Sequence, residues 1–372
     1  MRIALQEIRR STPRFLLLAG AVGLLVLLLL FFQTTAGALV TALTGAVART
    51  DADVLVYEGS ARGNPAVSVL DPLAAEAVAE VAGVAQAAPV GQTFTVATRR
   101  GVDEDAVVVG VDAGGPGLPT SLRAGRMAAG PGEALFSASG FSASWELGDS
   151  VALQGTDIEL SVVGLAEDAA ANASATLYVP LSTYERLLRA RIGEQAPLPV
   201  SYVAVGVLEG AEPAAVAARI NAQVADVRAY TRAAAVEALP GISTISRSFG
   251  ILYLLLYAVV AIVTGVFFLI LTVQKRDALV LLRAVGADRR DVVRLVLTQV
   301  VVVVGVGVLV GTGLAVGLLR AARDTFGASL DVSTTVSSAL AVLLIGLLSS
   351  IGAVRRITAV EPVEATRSAG LS

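Results

Sequence analysis

The chain has 372 residues, 55% of them hydrophobic and 16% charged, with a mean hydropathy of +0.74, a balance that excludes a water-soluble globular domain. It has no cysteine and no histidine, which removes disulfides, thiolate nucleophiles, Cys/His zinc sites and histidine acid/base or triad chemistry. The net charge of −3 says little as a total and a good deal once it is divided along the chain.

Residues 1–14 combine Ile3, Leu5 and Ile8 with Arg2, Arg9 and Arg10, and predict an interfacial helix before Pro13. Residues 15–48 then contain no Asp, Glu, Lys or Arg, and the same holds for 248–274, 295–319 and 332–354. Each run exceeds the roughly 20 residues that span a bilayer core as a helix, so four transmembrane helices are expected. The first run could be read as a secretory signal, but an h-region is about 7 to 15 residues long and this run is far longer. Its second part, from Gln33 to Ala48, is rich in Thr, Ala and Gly, and reads as the helix leaving the membrane to become a stalk.

Residues 49–246 are long enough to build their own core and predict an α/β domain. Asp53–Tyr57 alternates as a strand, and Asp71-Pro72 supplies an N-cap and first-turn proline for a helix through Val81. Further strands are expected at Thr93–Thr98, Ala106–Val111, Ser150–Leu153, Glu159–Leu165, Thr176–Val179 and Tyr202–Val207, with a second helix over Pro213–Val224. Turns are marked by Arg100-Gly101, Gly114–Gly117, Gly130–Gly132 and Gln154-Gly155. Two carboxylate groups, Asp103-Glu104-Asp105 and Glu167-Asp168, have the look of a metal or acid/base site. Adjacent acids on a strand point in different directions, so the first reads as a solvated hairpin tip. Trp145 and Phe141 read as packing residues, and no catalytic or metal-binding residue is expected.

The remaining segments are a span over 247–274, a connector over 275–294, a span over 295–319, a loop over 320–331, a span over 332–354 and a tail over 355–372. Basic residues near span ends are retained in the cytoplasm. Residues 1–14 carry four arginines against one acid, 275–294 carry six basic residues against three aspartates, and the tail holds Arg355, Arg356 and Arg367. This predicts a multi-pass plasma-membrane protein with both termini inside and 49–246 outside. The external segment holds 12 basic and 23 acidic residues, a net −11, while everything else sums to +8. So acidic a domain is a poor surface for nucleic acid or anionic lipid.

Apart from Arg247 at the edge of the second, no span contains an Asp, Glu, Lys or Arg, which speaks against a proton relay or an ion-coupled transporter. The single lysine, Lys275, follows a glutamine and belongs to no phosphate-binding P-loop, so energy has to come from another chain. In the third span Gly307, Gly311, Gly313 and Gly317 form two small-residue patterns with a spacing of four, suited to helix packing within the subunit or at a dimer seam.

From Gln274 the chain runs QKRDALVLLRAVGADRRDVVRLVLTQ, and after the fourth span it closes RRITAVEPVEATR. Together these resemble the FtsX/MacB-like permease family of ABC transporters. The matching residues are Lys275, Arg276, Leu282, Arg283, Ala284, Val285, Gly286 and Ala287, then Glu361, Pro362, Glu364, Ala365 and Arg367. Asp277-Ala278 departs from the pattern, in which an acid often stands nearer the glycine. The external stretches WELGDSVAL, ELSVVGL and LYVPLSTYERLL are similar to the external domain of the same family.

The resemblance implies a permease subunit that acts as a homodimer with a cytoplasmic ATPase dimer, which would hold ATP and Mg. This chain itself would have no cofactor and no enzymatic activity. ATPase coupling would fall on Lys275, Arg276, Asp277, Leu282, Arg283, Gly286, Ala287 and Arg289. Residues Asp277–Gly286 also read independently as a short amphipathic helix, with membrane-surface attachment as the alternative reading. Mechanotransmission through the stalks would move the external domain and export an amphipathic or hydrophobic substrate, whether haem, lipid or drug-like. Phe31, Phe32 and Gln33 at the outer end of the first span are expected to line the substrate cleft, with interfacial anchoring as the other reading. Membrane lipid and an envelope adaptor complete the expected partners, and nucleic acid is not among them. The alternative function is a non-transporting signal relay that activates a cell-envelope hydrolase or sensor.

Overall fold

The computed structural model describes residues 12–139, 144–193, 198–274, 289–321 and 332–358. These fall into two compact units, the long apolar helices up to Ala36 and from Arg247 onward, and the domain Gly37–Ser246.

Four helices carry the apolar runs: α1 (Thr12–Ala48), α6 (Ile242–Gln274), α7 (Arg289–Ala321) and α8 (Val332–Thr358). All four are long and apolar enough to cross a membrane. Their shared core joins Val22, Val26 and Leu29 of α1, Val260 and Phe268 of α6, Val300 and Val304 of α7, and Val342 of α8. Lipid is as apolar as these side chains, so close backbone approach and van der Waals contact, more than burial from water, must hold the helices together. Outward-facing Leu254, Ile262, Leu309, Leu314 and Leu344 fit the same solvent.

Residues Gly37–Ser246 fold around a ten-stranded sheet, ordered β10-β1-β9-β2-β3-β8-β5-β7-β4, with β6 pairing β2 and β7. The strands are β1 (Val54–Glu58), β2 (Val84–Arg99), β3 (Val102–Val111), β4 (Leu122–Gly125), β5 (Glu133–Ser137), β6 (Ser150–Leu153), β7 (Glu159–Ala166), β8 (Ala175–Pro180), β9 (Tyr202–Val207) and β10 (Val227–Thr231). β2 is the hinge of this layout: Val84–Val90 pairs with β9 and Gly91–Arg99 pairs with β3. The β1/β9/β10 half thus joins the β3/β8/β5/β7/β4 half through a single continuous strand. The β2–β3 hairpin turns at Arg100 and Gly101, both with positive φ (52° and 78°), the backbone of a primed turn that follows the twist of the strands.

Helices α2 (Ala74–Ala79) and α4 (Pro213–Gln223) cover one face of the first half, setting Val78, Val216 and Ile220 against Val54, Val56, Val203 and Val205. Pro213 opens α4 where an N–H would have no intrahelical acceptor. Helix α5 (Arg232–Ala238) is capped by the Thr231 hydroxyl, which accepts from Ala234 N at 3.3 Å. Helix α3 (Leu181–Ile192) buries Tyr184, Leu187 and Leu188 on the second half, the i, i+3, i+4 stripe of a half-buried helix. A third apolar cluster spans both halves and takes in Ala46 and Val47 from the end of α1, beside Tyr57, Val109, Tyr178 and Tyr202.

Several elements differ from the sequence reading. The helix expected through Val81 is confined to Ala74–Ala79, because the Asp71 carboxylate first accepts from Leu73 N at 2.9 Å and closes a turn. β2 starts nine residues before Thr93, and β4, β5, β10, α3 and α5 stand in stretches that the sequence reading left unassigned. β5 is short and almost wholly buried, so it shows no alternation to read.

Candidate functional site

Phe31, Phe32 and Gln33 sit half-buried on α1. The Ser338 hydroxyl of α8 donates to Gln33 Oε1 at 2.8 Å, and the Tyr253 hydroxyl of α6 reaches the Phe32 carbonyl at 3.5 Å. Phe31 and Phe32 pack edge to face with centroids 5.9 Å apart. Thr34 and Thr35 return their hydroxyls to the carbonyls of Leu30 and Phe31, so their donors are satisfied within α1. One polar side-chain pair and one hydroxyl-to-carbonyl contact thus gather three helices at this level. The sequence reading singled out Gln33 and missed its partner Ser338, because a lone serine in a Ser/Thr-rich helix start carries no distinguishing signal.

The proposed ATPase-coupling residues Lys275, Arg276, Asp277, Leu282, Arg283, Gly286 and Ala287 lie outside the described residues. Arg289 is the first residue of α7. The glycines of α7 divide into two pairs. A Cβ on Gly307 would press on Val22 of α1 at 2.8 Å, and one on Gly311 would collide with the Gly23 carbonyl oxygen. Gly313 and Gly317 have nothing within 4 Å of a Cβ and face away from the other described helices. The 307/311 pair therefore serves contact within the subunit. Gly346 of α8 faces Val304 of α7 at 3.2 Å, and Gly265 of α6 faces Ser349 at 3.5 Å, so small residues mark contacts of α8 with both neighbours too.

In the α/β domain Asp103, Glu104 and Asp168 are tied into structure. Asp103 accepts from Thr98 Oγ1 at 2.6 Å across the hairpin, and Glu104 accepts from Trp145 Nε1 at 3.0 Å. Trp145 is itself stacked on Phe136, with centroids 4.5 Å apart. Asp168 pairs with Arg49 at 3.3 Å. Among the described residues no group of three or more Asp, Glu, His or Cys is placed to hold a metal ion. Asp149 is the most enclosed of the carboxylates described, with its side chain 5% exposed, and it receives Arg99 at 2.8 Å and Arg100 at 2.7 Å. The Glu146 backbone N–H, followed by the Arg99 guanidinium, holds its carboxyl below the usual range.

Tyr57, Tyr178 and Tyr202 are fully enclosed, and burial pushes their phenols up. Tyr178 donates to the Ala169 carbonyl at 2.7 Å. These phenols are neutral in the folded domain and poorly suited to act as bases. A cleft of about 170 Å³ opens where Val47 of α1, Asn64, Phe94, Asn172 and Leu239 meet.

Four helices long and apolar enough to cross a membrane, together with a folded α/β domain, define a class: a polytopic membrane protein with an extramembrane domain. Residues 250–362 match the family described as FtsX-like permease C-terminal. No curated protein matches. Among solved structures the chain is similar to the periplasmic region of MacB from Actinobacillus actinomycetemcomitans, at 13% identity over 50% of this chain and 89% of that one, with a TM-score of 0.35. It is also similar to the extracellular domain of the noncanonic ABC-type transporter YknZ from Gram-positive bacteria, at 16% identity over 49% of this chain and 100% of that one, with a TM-score of 0.33.

Proposed function

We propose that this permease couples ATP hydrolysis by a separate cytoplasmic ATPase dimer to movement of its external domain, and that this movement exports an amphipathic or hydrophobic substrate. The observation that carries the reading is the match of residues 250–362 to the FtsX-like permease C-terminal family, in a chain with four helices long and apolar enough to cross a membrane.

The distribution of Arg and Lys supports an external position for Gly37–Ser246 and an internal one for 275–294. There Lys275, Arg276, Asp277, Leu282, Arg283, Gly286, Ala287 and Arg289 would meet the ATPase, which would hold ATP and Mg. A second copy of this chain would complete the permease, since four spans alone enclose little path. Phe31, Phe32 and Gln33 would meet the substrate where α1, α6 and α8 come together. An envelope adaptor on the external domain belongs to the same reading.

The test is purification of the chain in mild detergent from its own membranes, with mass spectrometry of what accompanies it. Equal amounts of a P-loop ATPase, whose hydrolysis rises with amphipathic compounds, are expected. Recovery of an envelope hydrolase whose activity follows ATP turnover, with no stimulation by any compound, would replace export by a signal relay. Absence of an ATPase would remove both.

A further inference from the structure

The end of α1 is not simply packed on the external domain. A loop from the far half of the sheet is hydrogen-bonded into its helical backbone. Ala46 N donates to the Ala170 carbonyl at 2.9 Å, and Ala173 N donates to the Ala42 carbonyl at 2.8 Å. Residues 42 and 46 are i and i+4 of one turn, so the loop joins both the donor and the acceptor side of the same rung of the helix ladder. The approach is close enough that a Cβ on Gly45 would collide with the Asp168 carbonyl oxygen and lie 2.9 Å from that of Ala170. Arg49, one turn further on, reaches Asp168 at 3.3 Å.

The loop is equally firmly held on its other side. Ala169 N donates to Ser137 Oγ at 3.0 Å, Ala171 N to Thr176 Oγ1 at 2.8 Å, and Ser139 Oγ to the Ala173 carbonyl at 2.9 Å. Ser137 and Thr176 are buried on β5 and β8, two central strands of the far half of the sheet. Asp168, Asn172 and Ala173 adopt positive φ values of 53°, 51° and 57°, a conformation that costs a non-glycine residue free energy and persists where surroundings impose it. The near half of the sheet is reached differently, by the chain itself through Thr50 into β1.

We propose that the loop Asp168–Ala173 welds α1 to the β3/β8/β5 half of the sheet, so that movement of the helix carries that half directly instead of through β2. The role of the weld rests on the permease reading. Its existence as a rigid joint does not.

The experiment compares Gly45→Ala with Gly37→Ala in the full chain, held in lipid nanodiscs with its co-purified ATPase. Both changes raise helix propensity, but a Cβ at Gly37 meets nothing within 4 Å. Amide exchange is followed at Ala46 and Ala173. Spin labels on Ala38→Cys and Asp157→Cys, introduced into the cysteine-free chain, report the distance from α1 to the β6–β7 turn with and without ATP and vanadate. In the parent and in Gly37→Ala both amides should be protected, with one label distance in both nucleotide states. Gly45→Ala should speed exchange at Ala173 about tenfold or more, which corresponds to about 1.4 kcal/mol of clash, and should broaden or split the label distance. Exchange at Ala173 as fast as in open turns of the parent, or a Gly45→Ala protein identical to the parent in both readouts, would overturn the proposal. If no ATPase co-purifies, the permease reading fails, and the exchange comparison still decides whether the weld exists.

Discussion

The ring of Tyr184 occupies the space that a side chain on Gly91 would need. Gly110 lies opposite Gly91 in the β2–β3 ladder, and a Cβ there would also run into Tyr184. Two facing glycines thus form a flat seat for an aromatic ring at the point where β2 passes from one half of the sheet to the other. The seat is dry enough to push the phenol up to about 12. Gly91→Ala or Gly110→Ala should destabilise the α/β domain by about 1–3 kcal/mol, as overpacking of a tight core does. Thermal unfolding should detect this, and the double variant with Tyr184→Leu should recover part of the loss.

The Asp149 carboxylate should give stability at acid pH a recognisable limit. Its pKa is lowered on folding, so its contribution is fully present above the unfolded value near 3.8 and is lost as pH falls through the lower folded value. Asp149→Asn keeps the shape but leaves Arg99 and Arg100 facing a neutral group, at a cost of about 1–3 kcal/mol near neutral pH. Urea unfolding at pH 7 and at pH 3 should show a smaller gap between parent and variant at the lower pH. An equal gap at both would mean that the charge is not what matters.

How much of this architecture the sequence reveals depends on how local its cause is. The four spans follow from runs free of charged residues, and β6 and β9 match their expected bounds at Ser150–Leu153 and Tyr202–Val207, where the alternating or β-branched pattern is itself local. The Arg100-Gly101 turn is likewise local. By contrast, nothing near Glu133–Ser137 distinguishes a buried strand from a buried helix segment, since its partners β7 and β8 lie more than 20 residues away. The same is true of Gln33, whose partner Ser338 is on another helix, and of Gly45, whose small size is required by a loop more than 120 residues later. Asp168 and Asn172 are residue types that tolerate positive φ, but that tolerance does not say which helix their loop meets. The coupling segment 275–288 rests on the family resemblance and its charge pattern alone.

The four glycines of α7 should not behave alike. Gly311→Ala forces α7 away from Gly23 and Val26 of α1, while Gly313→Ala and Gly317→Ala add a methyl group to open space. Gly311→Ala should therefore lower the unfolding temperature in detergent by the equivalent of about 1–3 kcal/mol, with Gly307→Ala close behind. The 313 and 317 variants should be neutral or slightly stabilised through helix propensity. If either of these two instead weakens self-association measured in lipid, the open face of α7 contacts a second copy.

Gln33 and Ser338 offer a separation of structure from transport. Ser338→Ala removes a hydroxyl that donates to Gln33 Oε1 at 2.8 Å, and hydrogen bonds between spans contribute only about 0.6 kcal/mol on average. The stability of the purified chain should change by no more than that amount, because the freed amide can turn toward its own helix. Gln33→Leu removes the polar group altogether and makes the surface beside Phe31 and Phe32 uniformly apolar. In the proposed exporter this should shift the concentration at which an amphipathic compound stimulates ATP hydrolysis, and leave the basal rate as in the parent. A changed basal rate with an unchanged stimulation curve would place Gln33 in the packing of α1 on α8 and outside the substrate path.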